Sequence, residues 1–245
     1  EISACLVGSE MCIRDSKNGD LPNFNDCAEG IALPVADLLC YADKLNIVSN
    51  STQLGASGYR SISKNNYECK IDFAQLGSKY QPGHSHADAL SFIVYHDRKP
   101  LFVEKGTSTY QINERRFEER ATSAHNTVSI GNENQSQVWS GFRVGNRAKT
   151  NIIEDSPNSL IGSHNGYFNT VGMHKRKFTF FENHVTIEDL LQNNNYKALF
   201  HLHVYPNEIL LKDGNTIIIK DRAKVTFKNA ENISIENYTM ATGFN

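Results

Sequence analysis

Long hydrophobic runs and a strong excess of charge of either sign are both absent from this sequence. No apolar run approaches the roughly 20 residues that a transmembrane helix needs, so we expect no membrane span. The 25 basic and 27 acidic side chains give a net charge of −2. No overall basic field is therefore present to recruit nucleic acid or another polyanion, and a polyanion would have to bind through a local cluster.

Cysteine is scarce, and the spacing of the few cysteines shows no known pattern. There are five, an odd number, and none form a CxxC pair. This argues against a disulfide scaffold and against a zinc ribbon, and it leaves the cellular compartment undetermined. The five are Cys5, Cys12, Cys27, Cys40 and Cys69.

A recognisable signal peptide is also lacking, because no basic stretch followed by an apolar segment comes after Glu1. The opening run Glu1–Ser16 (EISACLVGSEMCIRDS) fits poorly with the rest of the chain and resembles a translated sequencing adapter. We expect residues 1–16 to be non-native; the alternative is an ordinary ragged terminus, and in either case we assign no function to them.

The hydrophobic period changes along the chain from that of a helix to that of strands. Pro34–Asn46 places apolar residues at helical spacing, with proline near the start, where a first turn tolerates it. After Gly55, the segment Tyr67–Phe73 alternates apolar with charged side chains, which predicts a half-buried strand. The charged segment Asn113–Ser123 predicts one or two helical turns.

Many short apolar segments separated by Gly, Asn and Asp clusters predict further strands. This pattern predicts an all-β fold, an antiparallel β-sandwich, as one continuous domain over residues 55–245. The further segments are Ala89–Tyr95, Leu101–Glu104, Thr127–Ile130, Lys149–Ile153, Lys177–Phe181, Val185–Asp189, Leu199–Tyr205, Thr216–Lys220, Lys224–Lys228 and Ile233–Asn237.

Candidate metal ligands lie at the ends of three of these strands. His84 and His86 are two residues apart, so in extended chain they share a face. Glu104 is the last residue of the predicted strand Leu101–Glu104. His125 and Asn126 come directly before the predicted strand Thr127–Ile130. Two imidazoles and a carboxylate suit a divalent ion, most naturally zinc.

An HxH pair alone is a weak signal, since His201 and His203 form a second one in this chain. A buried histidine is more often simply hydrogen-bonded than bound to metal. The cupins, metal-binding β-barrels, also carry HxH, but with a glutamate a few residues later. Here Ala89, Leu90 and Ser91 occupy those positions, so cupin is a poor fit.

Several ordered motifs resemble the heparinase II/III-like polysaccharide lyases over about residues 55–206. The first is PGHSHADALSF at Pro82–Phe92, and the second is AHNTV at Ala124–Val128. The remaining positions are Gly58-Tyr59, Gly106-Thr107, Tyr110, Arg120, Thr122, Gln135, Trp139, Phe142–Gly145, His174–Arg176 and His201–Pro206.

The resemblance implies a domain organisation and an activity. Members pair an N-terminal α/α toroid with a C-terminal antiparallel β-sandwich, and they cleave uronic-acid polysaccharides such as heparan sulfate or alginate by β-elimination. On this basis residues 17–54 would be a linker and a helical remnant of the toroid. The implied partner is an anionic polysaccharide, and the implied location is periplasmic or secreted.

The resemblance also implies roles for individual residues. His84 would be the catalytic histidine, and His86, Glu104 and His125 would hold a structural zinc ion. The family usually has Asp where this chain has Glu104. The family's catalytic tyrosine and its carboxylate-neutralising residue come from the toroid, so we expect this chain alone to have little lyase activity.

Candidate substrate-binding residues are Tyr110, Arg120, Asn126 and Arg143, and each has a structural alternative. Tyr110, like Trp139, is an aromatic side chain that could serve packing. Asn126 could cap a turn or a backbone group. The arginine clusters Arg115, Arg116, Arg120 and Arg143, Arg147 could bind an acidic glycan or form a solvated face.

Two functions are compatible with the sequence. The first is a lyase acting on uronic acids, in which hydrogen-bond donors neutralise the carboxylate and a base removes the C5 proton. The second is a carbohydrate-binding or structural module that kept the sandwich and its metal without catalysis, because a fold alone does not establish activity.

Overall fold

The computed structural model describes residues 22–28, 33, 35–48, 57–193 and 195–244. Within these residues two short α-helices accompany fifteen strands: α1 is Val35–Lys44 and α2 is Glu114–Arg120. Both predicted helical segments are confirmed, and α2 starts where the side chain of Asn113 accepts a hydrogen bond from the Arg116 N–H group. No helix among the described residues is long and apolar enough to cross a membrane.

The strands are short and paired antiparallel, which confirms the predicted all-β class. Their bounds are β1 Tyr59–Ser63, β2 Tyr67–Asp72, β3 Phe92–His96, β4 Lys99–Phe102, β5 Val128–Ile130, β6 Val138–Trp139, β7 Arg143–Val144, β8 Thr150–Asp155, β9 Ser159–His164, β10 His174–Phe180, β11 Val185–Leu191, β12 Ala198–Phe200, β13 Leu210–Asp213, β14 Thr216–Ile219 and β15 Ala223–Thr226.

Two four-stranded sheets form the sandwich, one in the order β1-β2-β3-β4 and the other in the order β11-β10-β9-β8. Their facing sides share one apolar core, in which Ile71 and Phe92 of the first sheet meet Leu160 and Phe178 of the second. Smaller pairings complete the fold: β5 with β12, β6 with β7, and β13-β14-β15. The predicted antiparallel sandwich is thus confirmed.

The first sheet is buried on both faces in its centre. Phe92 and Val94 of β3 enter the main core, while Ile93 and Tyr95 pack with Phe24 in a separate apolar cluster. This explains the continuous apolar run of β3, because strands covered on both sides lose the alternation of half-exposed ones. Residues 22–28, within the predicted linker, supply part of that cover.

Strand β2 shows where the prediction of a half-buried strand was wrong. All six residues are buried, including the charged side chains that alternation had assigned to solvent. Lys70 Nζ lies 2.7 Å from Glu68 Oε1, and it donates to Ser61 Oγ at 2.9 Å. Pairing makes this burial tolerable, since an unpaired buried charge is far more costly.

Six differences separate the observed strands from the predicted ones. Strands β1, β6, β7, β9 and β13 were not predicted, and the predicted strand Ile233–Asn237 is not formed. In β9 the small Gly162 is required: a Cβ there would lie 2.9 Å from Leu90 Cδ2 and from the Phe73 ring. This strand is selected by close packing against the opposite sheet, which sequence periodicity does not report.

Candidate functional site

The His84–His86 loop precedes strand β3 of the first sheet, and a buried arginine holds its backbone in place. His84 ends a short 3-10 turn, Pro82–His84, and His86 follows in irregular chain. The guanidinium of Arg120, from α2, donates to the carbonyl oxygen of Ser85 at 2.9 Å and to that of Gly83 at 3.3 Å. The two imidazoles diverge: 65% of the His84 side chain is exposed, against 1% for His86.

His84 borders a cleft rich in aromatic side chains. Its ring lies 5.7 Å from that of Tyr110 and 5.3 Å from that of Phe142, edge-on in both cases. These two aromatics, with Ile112, Ser140, Gly141 and Arg143, line a cavity of about 450 Å³. This volume is within the usual range for small-ligand clefts.

Asp26 joins the two histidines of the loop. Its Oδ2 lies 2.9 Å from His84 Nδ1, and its Oδ1 lies 2.7 Å from His86 Nε2. Arg116 binds both carboxylate oxygens, with Nη2 at 2.7 Å from Oδ2. Burial alone would raise the pKa of Asp26, but the hydrogen bonds from His86 and Arg116 outweigh it and hold that pKa below its usual range.

His125 adjoins both other predicted metal ligands. Its Nδ1 shares a hydrogen bond with Glu104 Oε2, and its ring centroid is 5.3 Å from that of His86. Burial lowers the pKa of His86 and that of His125 to about 4, so both rings are neutral at pH 7. Burial raises the pKa of Glu104 well above its ordinary value.

Several buried atoms here have no hydrogen-bond partner within the described part of the chain: His86 Nδ1, His125 Nε2 and Asp88 Oδ2. Burial, and then the charge of Asp72, raise the pKa of Asp88. Two neutral ring nitrogens beside a group of carboxyls fit the donor chemistry of a divalent ion. In the positions shown, however, no three or more His, Cys, Asp or Glu side chains of the described residues are arranged to hold one. The metal stays a prediction.

Two of the four candidate substrate-binding residues are inaccessible, which corrects those predictions. Arg120 is 1% exposed, and its guanidinium is used on backbone carbonyls of the loop and of Trp139–Gly141. Asn126 is fully buried; its side-chain amide donates to the carbonyls of Phe92 and Val103 and accepts from the His203 N–H group. The backbone-capping alternative therefore holds for Asn126.

Tyr110 and Arg143 lie at the cleft. Tyr110 packs against Phe142 with ring centroids 5.1 Å apart, and burial raises the pKa of its hydroxyl, which makes it a poor base. Arg143 is exposed on β7 and lines the cavity. Of the four candidate substrate-binding residues, Arg143 is the positively charged one that is best placed to contact an anionic ligand.

Other arginines of the predicted clusters make structural contacts. Arg116 is fully buried on Asp26, so the alternative of a solvated face is wrong for it as it is for Arg120. Arg147 donates to the Leu76 and Ser78 carbonyls. His174 and Arg176, from the segment His174–Arg176 that resembles the family, are fully buried as well.

Asp26, the carboxylate at the centre of the site, was not predicted from the sequence. It lies in the segment interpreted as a linker, and no motif surrounds it. Its partners are 58 to 90 residues away in the chain. No sequence pattern signals such a contact.

Comparison with solved structures shows the same fold in three of them. One heparinase III is 16% identical with a TM-score of 0.63, and the match covers 84% of this chain and 34% of that one. The heparan sulfate lyase HepC from Pedobacter heparinus is 15% identical with a TM-score of 0.63, covering 84% of this chain and 35% of that one. A further heparinase III gives 14% identity, a TM-score of 0.55, and coverages of 88% and 38%.

The chain thus spans little more than a third of the length of these solved structures, and identities this low show the fold alone. No curated protein sequence matches it. The family profile of the heparinase II/III-like C-terminal domain matches residues 46–245, most of the chain. The HxH loop, the sandwich that carries it and this match lead to one conclusion: the chain belongs to the heparinase II/III-like family and corresponds to its C-terminal domain.

Proposed function

We propose that this domain is part of a polysaccharide lyase that cleaves a uronic-acid-containing polysaccharide by β-elimination, with His84 at the reacting sugar. The observation that carries the proposal is the environment of His84. Its ring is exposed beside an aromatic cleft, and its Nδ1 is engaged by Asp26. An imidazole held this way is oriented to take part in proton transfer.

The reaction places three demands on the protein. Donors must neutralise the uronate carboxylate so that the charge developing at C5 is stabilised, a base must take the C5 proton, and an acid must protonate the leaving O4 oxygen. We propose that Arg143 contributes to binding the anionic chain and that His84 takes part in proton transfer. The remaining groups would come from an N-terminal toroid domain, and a periplasmic or secreted location goes with such a substrate.

The full-length gene product should raise the absorbance of unsaturated uronate with at least one of heparan sulfate, alginate and hyaluronan. His84→Ala should reduce turnover on the order of a hundredfold or more, the usual contribution of a positioned acid or base. His184→Ala, which removes an exposed histidine from another part of the sandwich, is the matched control and should leave turnover unchanged. Equal activity of the wild type and His84→Ala would contradict the proposal.

The alternative function is a carbohydrate-binding module without catalysis. It is favoured by one observation, the half-exposed rings of Trp139 and Phe142 near the cleft. Polysaccharide in the gel would retard such a module in affinity electrophoresis, His84→Ala would not change that retardation, and no unsaturated product would form. A lyase would bind the polysaccharide and also release unsaturated product.

We also propose that His86, Glu104 and His125 hold a structural zinc ion. The two unpartnered ring nitrogens and the raised pKa of the Glu104 carboxyl support a cation here. Bound zinc would supply folding free energy rather than chemistry at the substrate.

About one equivalent of zinc should be found by elemental analysis of the purified chain, and a chelator should lower its melting temperature. His86→Ala should abolish both effects, whereas His184→Ala should not. A chelated protein whose melting temperature ignores added zinc would exclude this site.

A further inference from the structure

One carboxylate, that of Asp26, contacts both histidines of the HxH loop through different ring atoms. Oδ2 meets His84 at Nδ1, at 2.9 Å, and Oδ1 meets His86 at Nε2, at 2.7 Å. A residue outside the loop therefore touches the exposed imidazole and the buried one at the same time. The two contacts differ in the nitrogen that they use.

Arg116 keeps Asp26 a hydrogen-bond acceptor. Both terminal nitrogens of its guanidinium bind the carboxylate, and its Nε donates to the Gly141 carbonyl at 3.0 Å. Arg116 is itself fully buried, and its guanidinium carbon lies 5.2 Å from the Tyr110 ring centroid. A bidentate arginine pair of this kind fixes the carboxylate in both position and charge.

An acceptor at a ring nitrogen determines which nitrogen of a neutral histidine carries the proton. His84 then carries its proton on Nδ1, and the lone pair on Nε2 is available to a ligand in the cleft. His86 carries its proton on Nε2, and its lone pair is on Nδ1, the buried atom without a hydrogen-bond partner among the described residues. The same carboxylate thus imposes opposite tautomers on two histidines two residues apart.

We propose that Asp26 is the positioning residue of this site, which holds His84 in the Nδ1–H tautomer with Nε2 facing the cleft and His86 in the Nε2–H tautomer with Nδ1 facing the interior. The catalytic consequence rests on the proposed lyase function. The tautomers themselves do not, since they follow from the contacts of Asp26 alone.

Nitrogen-15 NMR of the histidine-labelled chain at about pH 8, where unperturbed rings are neutral, tests the tautomers directly. We expect His84 to show a protonated Nδ1 and His86 a protonated Nε2. The wild-type spectrum needs no variant to fold, and a His84 ring protonated on Nε2 would overturn the proposal.

The variant Asp26→Asn removes the carboxylate and keeps its shape. We expect the His84 signals to move toward a mixture of both tautomers, and Asp26→Glu to restore part of the Nδ1–H signal. The exposed His184 ring is the internal control and should be unchanged. An unaltered His84 tautomer in a folded Asp26→Asn protein would refute the positioning role.

In the full-length gene product, Asp26→Asn should lower kcat on the order of a hundredfold with KM changed about twofold or less, because a misoriented proton-transfer group slows the chemical step more than binding. Asp26→Glu should recover part of the rate. A rise in KM with unchanged kcat would contradict the role. A wild type inactive on every uronate polymer would refute the proposed function, while the NMR result would still decide the tautomers.

Discussion

The molecule contains two histidine clusters that are alike in composition and opposite in their hydrogen bonding. The sheet cluster consists of His164, His174, Arg176 and Asp189, on β9, β10 and β11. Its bonds form a chain: the Gly166 N–H group lies 3.0 Å from His164 Nδ1, His164 Nε2 lies 2.9 Å from His174 Nδ1, and His174 Nε2 lies 2.7 Å from Asp189 Oδ1. Every ring nitrogen of this cluster has a partner.

The cleft cluster consists of Asp26, His84, His86 and His125. It leaves two buried ring nitrogens without partners in the described chain, and one of its rings is largely exposed. A buried polar group left unpaired costs about 1–3 kcal/mol. The two clusters therefore differ in whether every ring nitrogen has a hydrogen-bond partner. Unpartnered nitrogens leave the cleft cluster with the capacity to bind or react.

The largest expected effect comes from Arg176, the arginine of the sheet cluster. Its guanidinium binds Asp189 through two nitrogens and donates to the carbonyls of Leu90 and Asn126 at 2.7 Å each. Arg176→Met should lower the free energy of unfolding by about 3–5 kcal/mol, because it removes the cationic partner of the buried Asp189 carboxylate and leaves two carbonyls unpaired. Urea denaturation measures this, with Arg143→Met on the exposed strand β7 as a control that should change little. A loss below about 1 kcal/mol would mean that the sheet cluster does not stabilise the fold.

Removing a ring from the sheet cluster should have an intermediate effect. His174→Ala opens the chain of hydrogen bonds at its centre and leaves a cavity, so we expect a loss of about 1–3 kcal/mol in the free energy of unfolding. The same urea titration reports it. Stability equal to that of the wild type would remove the distinction drawn between the clusters.

The sheet cluster should also make stability depend on pH. Burial, and then the charge of His174, lower the pKa of His164 well below 6.5. Below pH 6.5 the unfolded chain takes up a proton that the folded chain refuses, so stability falls as pH decreases, by at most about 1.4 kcal/mol per pH unit for one group. Above pH 6.5 this contribution is constant. Unfolding titrations between about pH 7 and 5 should show a smaller slope for His164→Gln than for the wild type. An equal slope would assign the dependence to other groups.

The smallest expected effect is at His84. Its ring is mostly in solvent, so His84→Ala should change the free energy of unfolding by about 0.5 kcal/mol or less, although the proposed function makes it the most damaging substitution for turnover. Thermal unfolding of the variant beside that of His174→Ala gives the test. A large destabilisation by His84→Ala would show that the exposed ring is itself structural.

The class of fold follows from the sequence alone. The face that His84 and His86 were predicted to share does not, because His84 ends a 3-10 turn rather than an extended segment. Alternating and apolar runs predicted β2, β3, β10 and β11. These properties are local, because side-chain direction repeats every two residues in extended chain. Periodicity within a few residues is enough to show them.

The burial of charged side chains depends on the tertiary structure. Arg116, Arg120 and Arg176 belong to segments that a hydrophobicity pattern assigns to solvent, yet each is buried on acceptors from remote parts of the chain. Asp26 joins the site in the same way. A buried charge is stable only when it is paired, and no local stretch of sequence encodes these pairs, because their members are far apart in the chain.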